Sequence, residues 1–140
     1  MNLMTSDIRR LLNSSFLRFC YVGAAGFITD ATILMLLVYQ FGSSLVTARL
    51  ISFSIALTVT WLLNRHFTFY EKKSPEEFNE WLRYAIINGI GGAINLGTYF
   101  FVISLELNLI THPFIALVIS SAVALIFNYW GSRLIVFRAD

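Results

Sequence analysis

The chain is short of nearly everything a water-soluble domain places on its surface. Only 13% of its 140 residues are charged, about half the fraction usual for a soluble domain. It holds a single cysteine, Cys20, which excludes a disulfide framework and a cysteine-rich metal site. Its two histidines, His66 and His112, stand far apart at different helix ends, so no metal-ligand spacing is present. The net charge of +2 is too small and too unevenly placed for nucleic-acid binding. No nucleophile has a neighbouring base, and no glycine loop is built to cradle a phosphate. An enzyme is therefore not expected, and neither is a bound cofactor.

What the chain has instead is apolar length. It is 57% hydrophobic, with a mean hydropathy of +0.71. At about 1.5 Å per residue, about 20 apolar residues cross a bilayer core. Four such runs are legible, over residues 19–41, 45–67, 84–105 and 114–132. The fold class expected is an all-α membrane protein of four transmembrane helices in a single membrane domain, residues 1–140. Two short amphipathic stretches, 7–16 and 75–83, suit helices lying at the membrane surface and leading into a span. The second begins with Ser74 as N-cap, Pro75 in the first turn and Glu77 three residues after the cap. Pro113 likewise suits the first turn of the fourth span. Residues 1–16 do not read as a cleaved signal, because the apolar run that follows is too long.

Basic residues are distributed nine to one. Arg9, Arg10, Arg18, Arg65, Lys72, Lys73, Arg83, Arg133 and Arg138 fall on the side of the termini and the central loop, and Arg49 alone on the other. That bias predicts cytoplasmic termini and a cytoplasmic central loop.

The chain also repeats itself. Ala48, Ser52, Ala56, Thr60, Asn64, Arg65 and Phe69 return 68 residues later as Ala116, Ser120, Ala124, Asn128, Ser132, Arg133 and Phe137. Arg18, Phe19, Gly26 and Asp30 return after 65 residues as Arg83, Tyr84, Gly91 and Asn95. Each half then reads as one helical hairpin. Two hairpins of the same topology would be parallel repeats about an axis along the membrane normal. Residues four apart share a helix face, so Ala48–Ser52–Ala56 and its copy form a stripe for close helix packing. Gly89, Ala93 and Gly97 suit the same use.

The candidate site residues are polar groups placed against that apolar background. Asp30 lies twelve residues past Arg18, about 18 Å into the span, where a charge is costly and marks a candidate for function or for pairing with Arg49. Its counterpart, Asn95, is neutral. Arg18, Arg65, Arg83 and Arg133 stand near the inner boundary, where guanidinium groups either snorkel or grip a lipid phosphate in a forked geometry. Asn64 and Asn128 offer amides near helix ends, to bind a headgroup or to tie the bundle. Trp61, Tyr70, Trp81, Tyr84 and Trp130 fit interfacial belts.

Phe16-Leu17-Arg18-Phe19 with Val22-Gly23 and Asp30, then Asn64-Arg65 with Phe69, and finally Asn128 and Arg133 with Phe137, together resemble the GtrA-like membrane proteins. The resemblance covers about residues 16–138. It implies a multi-pass protein of the cytoplasmic membrane that serves cell-surface polysaccharide synthesis. The activity implied is translocation (flipping) of a polyprenyl-phosphate-linked sugar, a glycolipid, beside a separate membrane glycosyltransferase. On that reading Arg18, Arg65, Arg83 and Arg133 capture the phosphate, and Asp30, Asn64, Asn95 and Asn128 offer hydrogen bonds to sugar hydroxyls. The prenyl tail stays among membrane lipids, and four helices enclose so little space that a homo-oligomer is plausible. Two alternatives remain open: a membrane anchor or accessory subunit of a glycosyltransferase, and a small proton-coupled multidrug exporter that uses Asp30.

Overall fold

The computed structural model describes residues 14–105 and 113–138. The described residues are helical, joined by short turns and one polar loop, with no strand among them. The helices are α1 (Ser15–Met35), α2 (Leu45–Leu63), α3 (Glu77–Ser104) and α4 (Pro113–Gly131). Three of them run on into a five-residue π-helical turn: Leu36–Gln40 after α1, Asn64–Thr68 after α2 and Ser132–Val136 after α4. The four helices that result, Ser15–Gln40, Leu45–Thr68, Glu77–Ser104 and Phe114–Val136, are each long and apolar enough to cross a membrane.

Their outer surfaces agree with that reading. Phe27, Tyr39, Phe41, Leu45, Val46, Phe78 and many other large apolar side chains are exposed. A soluble monomer rarely leaves so much apolar surface in water, whereas lipid tails cover it at no cost. Inside the spans the hydroxyls spend their protons on carbonyls one turn back, Thr29 on Ala25, Ser54 on Leu50 and Thr58 on Ser54, at 2.8–2.9 Å. In hydrocarbon a hydroxyl without such an acceptor is expensive.

The chain divides into two compact units, Met1–Lys73 and Ser74–Asp140. In the first, α1 and α2 pack as a hairpin closed by residues 41–44. Ser14 and Ser44 cap the two helices, their Oγ atoms accepting the N–H of Leu17 at 3.3 Å and of Thr47 at 3.2 Å. Gly42 makes the turn in the left-handed region, at φ 63°. In the second unit α3 packs along α4. Each unit buries the expected small-residue stripe, Ala48, Ser52 and Ala56 in one and Ala116, Ser120 and Ala124 in the other.

Two expectations need correction. The stretch 75–83 is not a separate surface helix. Nothing between Trp81 and Ala85 breaks a helix, so residues 77–83 are the first two turns of α3. Ser74 is also not its N-cap; Glu76 occupies that position without a side-chain cap bond. Instead Ser74 Oγ accepts the Glu76 N–H at 3.2 Å, while the Ser74 N–H donates to Glu80 Oε2 at 2.6 Å. The reciprocal logic of a capping box survives, but Glu80 closes it and Glu77 does not. Of the surface helix expected over 7–16, residues 7–13 lie outside the described residues, and Ser15 and Phe16 open α1.

Candidate functional site

Each hairpin has an open end, where its first helix begins and its second helix finishes. The sequence puts two arginines there in both hairpins, Arg18 with Arg65 and Arg83 with Arg133. The π-helical turn shapes this end. Its closing bonds run from the Phe69 N–H to the Asn64 carbonyl and from the Phe137 N–H to the Ser132 carbonyl, both 2.8 Å. The wider turn carries each phenylalanine back across its own hairpin. Phe69 meets Phe19 with ring centroids 6.3 Å apart at 60°, and Phe137 meets Tyr84 at 6.2 Å and 59°. The two hairpins thus close in the same way on the residue next to the first arginine. π-turns of this kind recur at functional sites.

The arginines rest on aromatic faces. Arg65 lies over Trp61 with its guanidinium carbon 5.7 Å from the ring centroid, Arg133 over Trp130 at 5.5 Å, and Arg18 over Tyr70 at 6.0 Å. Stacking favours the cation through the ring quadrupole and leaves in-plane N–H donors directed sideways. Arg133 also donates from Nη1 to the Tyr129 hydroxyl at 2.9 Å. Arg18 donates from Nη1 to the Phe67 carbonyl at 3.1 Å, placing its charge at the negative end of the second helix of its hairpin. Arg83 makes no equivalent bond among the described residues, and its Nε is buried without a hydrogen-bond partner. Beyond the span, the hydrogen bond and charge of Glu71 push the Tyr70 phenol above its ordinary range, so it stays neutral beside Arg18.

The remaining candidates take other places. Asn64 is buried, and its Oδ1 accepts from the Thr68 hydroxyl at 2.8 Å, tying the π-turn together. By position its counterpart is Ser132, whereas Asn128 corresponds to Thr60, one turn earlier. Asn128 sits against Gly91, its Oδ1 buried without a hydrogen-bond partner. Asn95 joins the two helices of its hairpin through Nδ2 to Ser121 Oγ at 3.5 Å. Asp30 does so in the first hairpin as an ion pair with Arg49 Nη1. Asp30, Asn95 and Asn128 stand away from the arginines along the spans, whereas Asn64 is beside Arg65 in the same turn and both are buried.

From the sequence Trp61, Tyr70 and Trp130 are expected in interfacial belts, and Tyr129 has no assigned place. The structure makes all four supports for arginine. Part of this was readable: Trp61 and Tyr129 stand four residues before Arg65 and Arg133 and are matched at the 68-residue shift. Among the described residues no group of histidine, cysteine, aspartate or glutamate side chains could hold a metal ion.

Four membrane-length helices in two hairpins, with paired arginines at the open end of each, define a multi-pass membrane protein with cationic, aromatic-lined ends. The family follows from the sequence match: the GtrA/DPMS transmembrane domain covers residues 18–139, and the chain belongs to that family. Its members are membrane proteins involved in polyprenyl-phosphate sugar handling. No curated protein matches the chain.

Proposed function

We propose that the protein moves a polyprenyl-phosphate-linked sugar across the cytoplasmic membrane for cell-surface polysaccharide synthesis. The observation that carries this reading is the pair of arginines at the open end of each hairpin, three of the four lying on aromatic faces. A guanidinium held in this way is already oriented, and it can meet a phosphate through charge-assisted hydrogen bonds with little loss of side-chain freedom. The nine-to-one distribution of basic residues supports placing these ends at the cytoplasmic face, where a lipid-linked sugar would arrive. The prenyl chain remains in lipid, so only the phosphate and sugar need a polar route. Capture is tested by native mass spectrometry of the purified protein with added polyprenyl phosphate. Wild type retains the lipid, and Arg83→Ala and Arg133→Ala each lower retention, by about tenfold if one charge-assisted hydrogen bond is lost. Equal retention by wild type and both variants contradicts the arginine role.

A second reading, an accessory subunit that anchors a glycosyltransferase, draws support from the polar segment between the units, residues 70–76, with Lys72 and Lys73 exposed beside Glu71. It predicts that a glycosyltransferase co-purifies with the protein and that its activity depends on this chain.

A further inference from the structure

The ion pair between Asp30 and Arg49 is not needed to build its hairpin. In the second hairpin the matching positions are Asn95 and Leu117, with no charge at either. The surroundings are nevertheless reproduced. Ala48 and Ala116 are both buried, and Ser52 Oγ donates to the Arg49 carbonyl at 3.2 Å as Ser120 Oγ does to that of Leu117 at 3.0 Å. An ionised pair inside a span is costly, and packing gives no reason to retain this one.

Arg49 is also placed unlike any other cation among the described residues. It lies near the closed end of its hairpin, sixteen residues before Arg65 and about 24 Å from it along an ideal helix. Its side chain is 55% exposed while that of Asp30 is 16% exposed, so the acid is largely covered and the arginine more than half open. Asp30 is its only described side-chain partner. Taking the Gly26–Thr60 contact as a common level, Asp30 stands four residues toward the turn and Arg49 eleven, about 6 Å and 16 Å. The pair therefore bends Arg49 back toward the middle of the membrane, away from the near interface to which a long cation would otherwise snorkel. The second carboxylate oxygen of Asp30, Oδ1, is buried with no hydrogen-bond partner.

We propose that Arg49 is a second phosphate-binding station, at the face opposite the open-end arginines, with Asp30 holding it inward until a lipid phosphate takes the place of the carboxylate. This rests on the translocation reading above and adds where the phosphate is received. The ligand is the phosphate of the polyprenyl-linked sugar, as distinct from that of ordinary anionic phospholipid. The guanidinium exchanges one oxyanion for another, and no covalent step is involved.

The test uses the second hairpin's own solution. D30N/R49L installs the Asn–Leu combination that this hairpin geometry already accommodates, and D30N/R49Q is a polar neutral pair should the first fail to fold. Proteoliposomes of phosphatidylcholine carry a polyprenyl-phosphate hexose, and a membrane-impermeant oxidant reports headgroups reaching the outside. Wild type moves the headgroup, the neutral pairs do so about tenfold more slowly with unchanged thermal unfolding, and Arg49→Lys stays within about threefold because it keeps the cation. Neutral pairs as fast as wild type overturn this proposal and leave the translocation reading standing. No movement by wild type overturns both. A hundred-fold excess (roughly, to saturate a simple competitor) of phosphatidylglycerol should leave the rate unchanged. Its abolishing transfer would make Arg49 a site for ordinary anionic lipid and overturn the assignment.

Discussion

Gly91 lies so close to Asn128 that a β-carbon on the glycine would stand 1.9 Å from the amide oxygen, and Gly26 stands in the same relation to Thr60, 2.2 Å from its methyl group. The two contacts set the distance between the helices of their respective hairpins. Gly91→Ala and Gly26→Ala should each destabilise by about 1–3 kcal/mol, the usual cost of overpacking. Gly92→Ala, with open space around it, should change stability by no more than about 0.5 kcal/mol. Thermal unfolding in detergent micelles checks all three, and equal melting of Gly91→Ala and Gly92→Ala would reject the close approach.

The π-turns differ in one hydrogen bond. In the first hairpin the Thr68 hydroxyl donates to Asn64. In the second, Val136 replaces the threonine and the buried Ser132 Oγ has no partner. Val136→Thr keeps the shape and supplies a hydroxyl, so the variant should be as stable as wild type or better by up to about 1 kcal/mol. Thr68→Val should cost about 1 kcal/mol. Chemical denaturation in mixed micelles gives both values, and a Val136→Thr variant clearly less stable than wild type would remove this account of the turn.

Glu80 is fully buried at the start of α3 and accepts the Ser74 N–H. Removing its carboxylate in Glu80→Ala leaves that donor unsatisfied and should cost about 1–3 kcal/mol. The neighbouring Glu77→Ala, at an exposed position, should cost under about 1 kcal/mol, the scale of a surface charge in the first turn of a helix. Limited proteolysis between residues 70 and 80 offers a direct readout: faster cleavage is expected in Glu80→Ala only, and identical cleavage in both variants contradicts the cap.

Much of this architecture was legible because the bilayer imposes a length and the repeat supplies a check. The four spans follow from apolar runs, and the stripes Ala48–Ser52–Ala56 and Ala116–Ser120–Ala124 are the buried faces that their spacing predicted. Pairing with Arg49 is one of two roles that the sequence leaves open to Asp30, and the structure holds that pair although Arg49 stands further toward the turn. The π-turns were not legible. Arg65 and Phe69 stand four apart, which in an α-helix puts them on one face, and only the extra residue per turn brings Phe69 across to Phe19. The cap of α3 misled for a related reason: Ser-Pro-Glu-Glu fits a capping box locally, but the side chain that closes it is Glu80, a turn further on. The local sequence Asn64-Arg65 did not show that both side chains are buried, Asn64 bonded to Thr68 and Arg65 lying on Trp61.

Sidedness measures most directly whether the open-end arginines serve movement of a lipid-linked headgroup across the membrane. Purified protein, with no other component, is reconstituted in vesicles whose polyprenyl-phosphate hexose begins on the inner leaflet, and headgroups reaching the outside are scored over time. Wild type is predicted to equilibrate the lipid, and Arg65→Ala/Arg133→Ala to do so at least about tenfold more slowly while inserting normally. Wild-type vesicles that keep the headgroup on its starting side, or a double variant as fast as wild type, would contradict that role.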